Sequence, residues 1–159
     1  MNLLLEELSG GLPDLRETGR VIIRLLAAGL MGAVIGAQRE HAGKSAGLRT
    51  HMLVSVGAAL FVIAPVQFGF DSSDLSRIIQ GLATGIGFIG GGAILKMSGE
   101  REIQGLTTAA GIWLTAALGV AVGLGALGVA LISAALAWVI LVAMLRIEAR
   151  IAKTAPPQD

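Results

Sequence analysis

The chain has 159 residues and no cysteine, with 54% apolar residues, 14% charged residues and a mean hydropathy of +0.78. An average soluble domain carries about 25% charged residues, so this composition belongs in a bilayer, and the length allows one domain. A formal net charge of +1 offers no concentrated basic surface for nucleic acid, and the lack of cysteine removes thiol catalysis, disulfides and thiolate metal sites.

Residues 1–18 hold Glu6, Glu7, Asp14 and Glu17 against Arg16 as the lone base. The basic start of a signal peptide is missing, and the segment reads as a short amphipathic lead-in. Five apolar stretches follow, at about 19–37, 50–68, 78–97, 106–122 and 126–145. Each is close to the roughly 20 residues that cross the hydrocarbon layer as a helix. The predicted fold class is all-α: an integral membrane helical bundle of about five transmembrane helices over 19–145, with 146–159 as a short cytoplasmic tail. Glycine-rich 123–128 separates the last two stretches, which leaves a broken or re-entrant fourth segment as the alternative.

Charge sets the direction of insertion. Arg39, Lys44, Arg49, Lys96, Arg101, Arg146, Arg150 and Lys153 fall on one side of a five-span arrangement, and Arg16, Arg20 and Arg77 on the other. The positive-inside rule then predicts an outside N-terminus and a cytoplasmic C-terminus.

Between Gly36 and Gly125 the polar residues come in clusters. The first runs from Gln38-Arg39-Glu40 to Ala46-Gly47-Leu48-Arg49-Thr50. The second is Asp74-Leu75-Ser76-Arg77, leading into Gly85-Ile86-Gly87-Phe88-Ile89-Gly90-Gly91-Gly92. The third is Gly105-Leu106-Thr107-Thr108-Ala109-Ala110-Gly111-Ile112-Trp113. In this order and spacing they resemble the membrane domain of the MgtC/SapB family over roughly residues 25–135. The family pattern has Glu-Arg-Glu where this chain has Gln38-Arg39-Glu40, so a role for the first carboxylate is not carried over. Many family members add a cytoplasmic C-terminal domain, and this sequence ends before one. The resemblance implies a bacterial inner-membrane protein tied to magnesium limitation or acid, to intracellular survival in pathogens, and to restraint of other membrane proteins such as the F-type ATP synthase.

Four small-xxx-small pairs, Gly32 with Gly36, Gly81 with Gly85, Gly87 with Gly91 and Gly119 with Gly123, put grooves on spans 1, 3 and 4. Close packing within one chain is one reading of them, and a homodimer or a partner helix the other. Gly90-Gly91-Gly92 invites an unwound segment, although Ala93-Ile94-Leu95 is expected to resume an apolar helix. Arg24 lies about five residues inside span 1, roughly 7 Å at the helical rise. It stands at the level where Asp74 opens span 3, which predicts an outer ion pair of Arg24 with Asp74, joined by Arg77; separate snorkelled charges are the alternative.

At the opposite level Arg39, Glu40, Lys44, Arg49 and His51 approach Glu100, Glu102 and Gln104, and a structured polar network is expected there. His51 reads as a hydrogen-bonded structural histidine in preference to a metal ligand. Thr107 and Thr108 are placed to cap or back-bond the start of span 4, and Trp113 and Trp138 to pack against helices or lipid. All eleven acids lie outside or at the ends of the spans, and none marks a midplane cation or proton site. No catalytic residue, metal or cofactor is expected. The leading reading is a regulator that works by lateral helix contacts, with the bilayer and a second copy as partners. A small magnesium or proton channel or transporter, lined by Thr84, Thr115, Ser55 and backbone carbonyls, is the alternative.

Overall fold

The computed structural model describes Leu3 and residues 14–96 and 103–154. Five long helices account for nearly all of it: α1 Leu15–His41, α2 Leu48–Gln67, α3 Ser72–Gly92, α4 Leu106–Gly123 and α5 Leu127–Thr154. Two two-residue strands, β1 Leu95–Lys96 and β2 Ile103–Gln104, pair antiparallel ahead of α4.

The helix starts follow local chemistry. Asp14 accepts the Glu17 amide at 2.8 Å and opens α1. Asp71 accepts the amides of Ser73 and Asp74 at 2.7 and 3.0 Å and opens α3, and the Asp74 amide, followed by Ser73, holds the Asp71 carboxyl below its usual range. The turn after α4 closes at Gly125, whose φ of +85° is the left-handed conformation that glycine adopts without cost.

Among the described residues four helices are long and apolar enough to cross a membrane: α1, α2, α4 and the Leu127–Ile147 part of α5. The fourth sequence segment is therefore one unbroken helix, and the weak member is α3, in which Asp74, Arg77 and Gln80 and a run of glycines dilute the apolar content. The long third stretch expected over 78–97 is corrected at both ends. Asp71 starts the helix at Ser72, and the helix runs through the glycine triplet and stops at Gly92, so neither an unwound triplet nor a resumed helix occurs. Leu95 pairs with Gln104 across β1 and β2 instead.

Helix α4 is the centre of the bundle. Half of its spanning window is buried, against 17% for α5. One apolar cluster joins Ala28 of α1, Ala59 and Ile63 of α2, Val122 of α4 and Ala130 of α5 at the end of the bundle that holds Arg24. A second joins Ile35, Leu118, Ala134 and Ala137. A third seats α3 on α2 and α4 through Ile86, Ala58, Ile112 and Ala116.

Glycine decides how closely these helices approach. A Cβ on Gly32 would stand 2.5 Å from the His51 carbonyl oxygen, and one on Gly36 2.8 Å from Leu48 Cα. On α4, a Cβ at Gly119 would collide with the Ser55 carbonyl, and one at Gly123 would lie 2.8 Å from the Ala59 carbonyl. Gly32, Gly36, Gly119 and Gly123 thus form the seams that clamp α2 between α1 and α4. On α3 the situation reverses, because a Cβ on Gly81, Gly85, Gly87 or Gly91 would meet nothing within 4 Å.

Candidate functional site

The tight seams bring polar groups into the interior. Arg39, in the last turn of α1, is 1% exposed and donates from Nη2 to Thr108 Oγ1 of α4 at 3.0 Å. His51 of α2 is fully buried, and its Nδ1 lies 3.0 Å from the Gly47 carbonyl oxygen. A carbonyl can only accept, so Nδ1 carries the proton, and Nε2 of the neutral ring is left as an acceptor. Nε2 has no partner; it faces Gly111, where a Cβ would stand 3.5 Å away. Further along the same interior, Ser55 Oγ is buried without a partner and the Thr115 hydroxyl donates back to the Gly111 carbonyl at 2.8 Å.

Buried polar atoms are nearly always satisfied, since leaving one unpaired costs about 1–3 kcal/mol. Here Gln38 Oε1, Arg39 Nε, His51 Nε2 and Ser55 Oγ all lack a partner. They fall on α1 and α2, the helices joined by the Gly32 and Gly36 seam, and among the described residues none falls on the lipid-exposed α5.

The expected network at this end forms in part. Glu40 does not meet Arg39; its carboxylate accepts the Leu48 amide at 2.7 Å and caps α2. Gly47 makes room for it, since a Cβ there would lie 2.7 Å from Glu40 Oε2. The Gly-Leu-Arg-Thr motif is therefore a helix start built to receive a carboxylate from the preceding helix. Arg49, Gln104 and Thr107 are exposed. Glu100 and Glu102, expected in the same network, lie outside the described residues.

Two expectations are corrected. Thr108 does not cap α4: the N-cap is Gly105, without a side-chain bond, and the Thr108 hydroxyl instead accepts from Arg39. Arg24 does not pair with Asp74. Its guanidinium donates to the Gly123 carbonyl at 3.0 Å and lies against Gly125, while Asp74 and Arg77 are exposed. The carbonyl end of α4 is electronegative and its last carbonyls lack helical partners, so Arg24 neutralises a helix end. Among the described residues the ion pair present is Arg20 with Glu17, one turn apart on α1.

Above Arg39 and Thr108 lies a cavity of about 670 Å³, walled by the loop after α1 and the start of α4, with Lys44, Ser45, Ala93 and Gln104 around it. A second, apolar groove of about 500 Å³ follows the open glycines of α3, between Phe61, Ile78, Gly81, Leu82, Gly85 and Ile89. Thr84, placed with Ser55 and Thr115 as a channel lining, is instead exposed on α3 and bonds back to the Gln80 carbonyl at 2.9 Å. Among the described residues no group of three or more His, Cys, Asp or Glu could hold a metal ion. Sequence reasoning missed the bare start of α4 and the isolation of the Arg39 charge; the positive-φ glycine before Leu106-Thr107-Thr108 was the available signal for the first.

Known proteins place this architecture. Protein SrpB of Synechococcus elongatus is 52% identical over 113 residues, covering 64% of this chain and 62% of that protein. The putative magnesium transporter YhiD of Escherichia coli K12 is 46% identical over 116 residues, covering 68% of this chain and 53% of YhiD. Protein MgtC of Salmonella typhimurium is 44% identical over 104 residues, covering 65% of this chain and 43% of MgtC. The chain thus matches between about two fifths and three fifths of the length of these relatives. No solved structure matches it. The model of the MgtC family matches residues 25–150, the whole of the span from Arg24's neighbour on α1 to the late turns of α5, and the chain belongs to the MgtC family.

Proposed function

We propose that this chain is a non-enzymatic protein of the bacterial inner membrane that regulates other membrane proteins by lateral helix contacts, in adaptation to magnesium limitation or acid stress. Its N-terminus faces outward and its C-terminus the cytoplasm, as the charge count favours. The F-type ATP synthase is one candidate target, on the strength of the family resemblance.

The observation that carries this reading is the face of α3. Gly81, Gly85, Gly87 and Gly91 meet nothing among the described residues, Phe88 beside them is 88% exposed, and the groove that Gly81 and Gly85 line is apolar. Transmembrane helices associate through van der Waals packing at small residues, because lipid is as apolar as leucine. Of the five helices, α3 is the one without a stretch apolar enough to stand as a membrane span by itself, so it gains from a protein neighbour in place of lipid. The occupant we assign to the groove is a transmembrane helix, supplied by a second copy when the chain is alone.

The transporter reading has support in the unpartnered polar atoms of His51 and Ser55, and YhiD is named a putative magnesium transporter. Against it, the buried guanidinium of Arg39 heads that column with a permanent positive charge, which repels a divalent cation. The test is a photo-crosslinking residue in place of Phe88, beside the open glycines, or of Ile22 on α1, compared in native membranes, with flux measured in liposomes. The proposal expects a defined membrane-protein adduct from position 88 alone and no magnesium or proton flux above empty liposomes. Saturable flux by the pure chain, or equal adducts from both positions, overturns it.

A further inference from the structure

We propose that the cavity above Arg39 is a binding site for a phosphate group, reaching it either as free phosphate or as the headgroup of an anionic phospholipid. The proposal concerns a different face from the α3 groove and does not depend on it.

Three independent features converge. The first is an uncompensated charge. Arg39 is 1% exposed, yet its Nε is unpartnered and its one side-chain bond goes to a neutral hydroxyl. A buried charge requires a counter-charge or full hydrogen bonding. The adjacent carboxylate, Glu40, is committed to the Leu48 amide. The carbonyl end of α1 supplies only a partial negative charge, of about half a unit.

The second is the start of α4. This helix has 18 residues, its N-cap glycine offers no side chain, and the amides of Leu106, Thr107 and Thr108 have no helical acceptor. A helix start with free amides favours anions through both hydrogen bonds and the macrodipole. Gly105 holds a φ of +96°, and a Cβ there would collide with the Ala93 carbonyl, so this geometry admits no larger residue and keeps the helix start open.

The third is the cavity itself, about 670 Å³, which both Arg39 and the start of α4 line. Lys44 and Ser45 stand at its exposed rim, and the described lining contains no carboxylate. An arginine fork beside backbone amides and hydroxyls is the donor set that a tetrahedral oxyanion satisfies. Ligand sites commonly occupy about 300–1,000 Å³, enough here for a headgroup as well as for the inorganic ion.

The experiment uses the full chain, delipidated in neutral detergent and reconstituted in nanodiscs. Thermal unfolding is followed with sodium phosphate against sodium chloride at equal ionic strength. Native mass spectrometry counts phosphatidylglycerol retained from mixed nanodiscs against phosphatidylcholine. The proposal expects phosphate to raise the unfolding temperature, phosphatidylglycerol to be retained selectively, or both. A response to phosphate without lipid identifies the soluble ion, and selective retention alone identifies the headgroup. Arg39→Lys keeps the charge but loses the fork, and should weaken binding at least about tenfold, the scale of a charge-assisted hydrogen bond. Lys44→Gln, at an exposed position that folding does not need, should weaken it roughly threefold. No preference for either phosphate source overturns the proposal, as does binding unchanged in both variants. Binding that emerges only in the Glu100→Gln, Glu102→Gln double variant also overturns it, since the chain's own acids would then be the occupant.

Discussion

The glycines of α1 and α4 and those of α3 are the same residue at the same spacing, put to opposite use. Gly32, Gly36, Gly119 and Gly123 lie against backbone of α2, with would-be Cβ atoms at 2.8 Å or less from a neighbour. Gly81, Gly85, Gly87 and Gly91 face open space. The first set draws three helices so close that Arg39, His51, Ser55 and Thr115 are sealed inside. The second leaves a helix that touches the bundle chiefly through Ile86 and Gly90 and exposes a groove. The same motif therefore serves folding where the neighbour is in the chain, and is free for association where it is not.

Bulky substitutions should separate the two sets by the largest margin. Gly119→Leu and Gly32→Leu drive a side chain into backbone that cannot move aside, and overpacking costs about 1–3 kcal/mol even where side chains can yield. Neither variant should accumulate as folded protein, judged by fluorescence-detected size exclusion. Gly85→Leu and Gly81→Leu should accumulate at the wild-type level, because leucine improves insertion by about 0.3–0.6 kcal/mol. Equal loss in both sets would erase the distinction.

The sealed polar interior predicts a smaller and reversed effect. Arg39→Met removes a buried charge while keeping much of its volume, and such replacements are often neutral or stabilising by about 1–4 kcal/mol. In phosphate-free detergent this variant should unfold no earlier than wild type. A marked loss would mean that Arg39 is fully compensated in the native state.

At the other end of the bundle, Arg24→Gln removes a charge-assisted bond to the end of α4 and should cost about 1.5–3 kcal/mol, less if glutamine still reaches Gly123. Asp74→Asn should cost almost nothing, and the two should be additive in a double-mutant cycle of chemical unfolding. Coupling between them would restore the ion pair that the geometry does not contain.

The smallest effect concerns the start of the open helix. Asp71 has its carboxyl held below the ordinary value of 3.8 by the Asp74 and Ser73 amides. A depressed carboxyl contributes stability above its unfolded value and loses it as pH falls through the folded one. The protection factors of the Ser73 and Asp74 amides, taken relative to the intrinsic exchange rate at each pH, should therefore be unchanged from neutral pH down to about 5 and should fall only below the ordinary value. Asp71→Asn should remove that acid response.

The helix count, the apolar stretches and the family motifs were legible in the sequence because period and composition act along one dimension. What the sequence concealed was lateral. Arg24 and Asp74 share a level, but the carbonyl end of α4 lies beside α1, and level alone cannot choose between them. Four glycine pairs at identical spacing gave no sign of which faced a neighbour, since helix rotation is set by the whole packing. The short run Ala93-Ile94-Leu95 fits a helix or a strand equally well by pattern, and the pairing of Leu95 with Gln104 decided it. The polar network was foreseen as a cluster of residues; its partners were not, because Glu40 could serve Arg39 or the start of α2 and geometry assigned it to the latter.

The central claim is that the open face of α3 is where one transmembrane helix meets another. Single-molecule photobleaching of the labelled chain, at low density in lipid bilayers, reads it directly. The account predicts two bleaching steps for most wild-type spots and a single step for Gly85→Leu of normal folded yield. Wild-type spots that bleach in one step, or Gly85→Leu spots that still bleach in two, would contradict it.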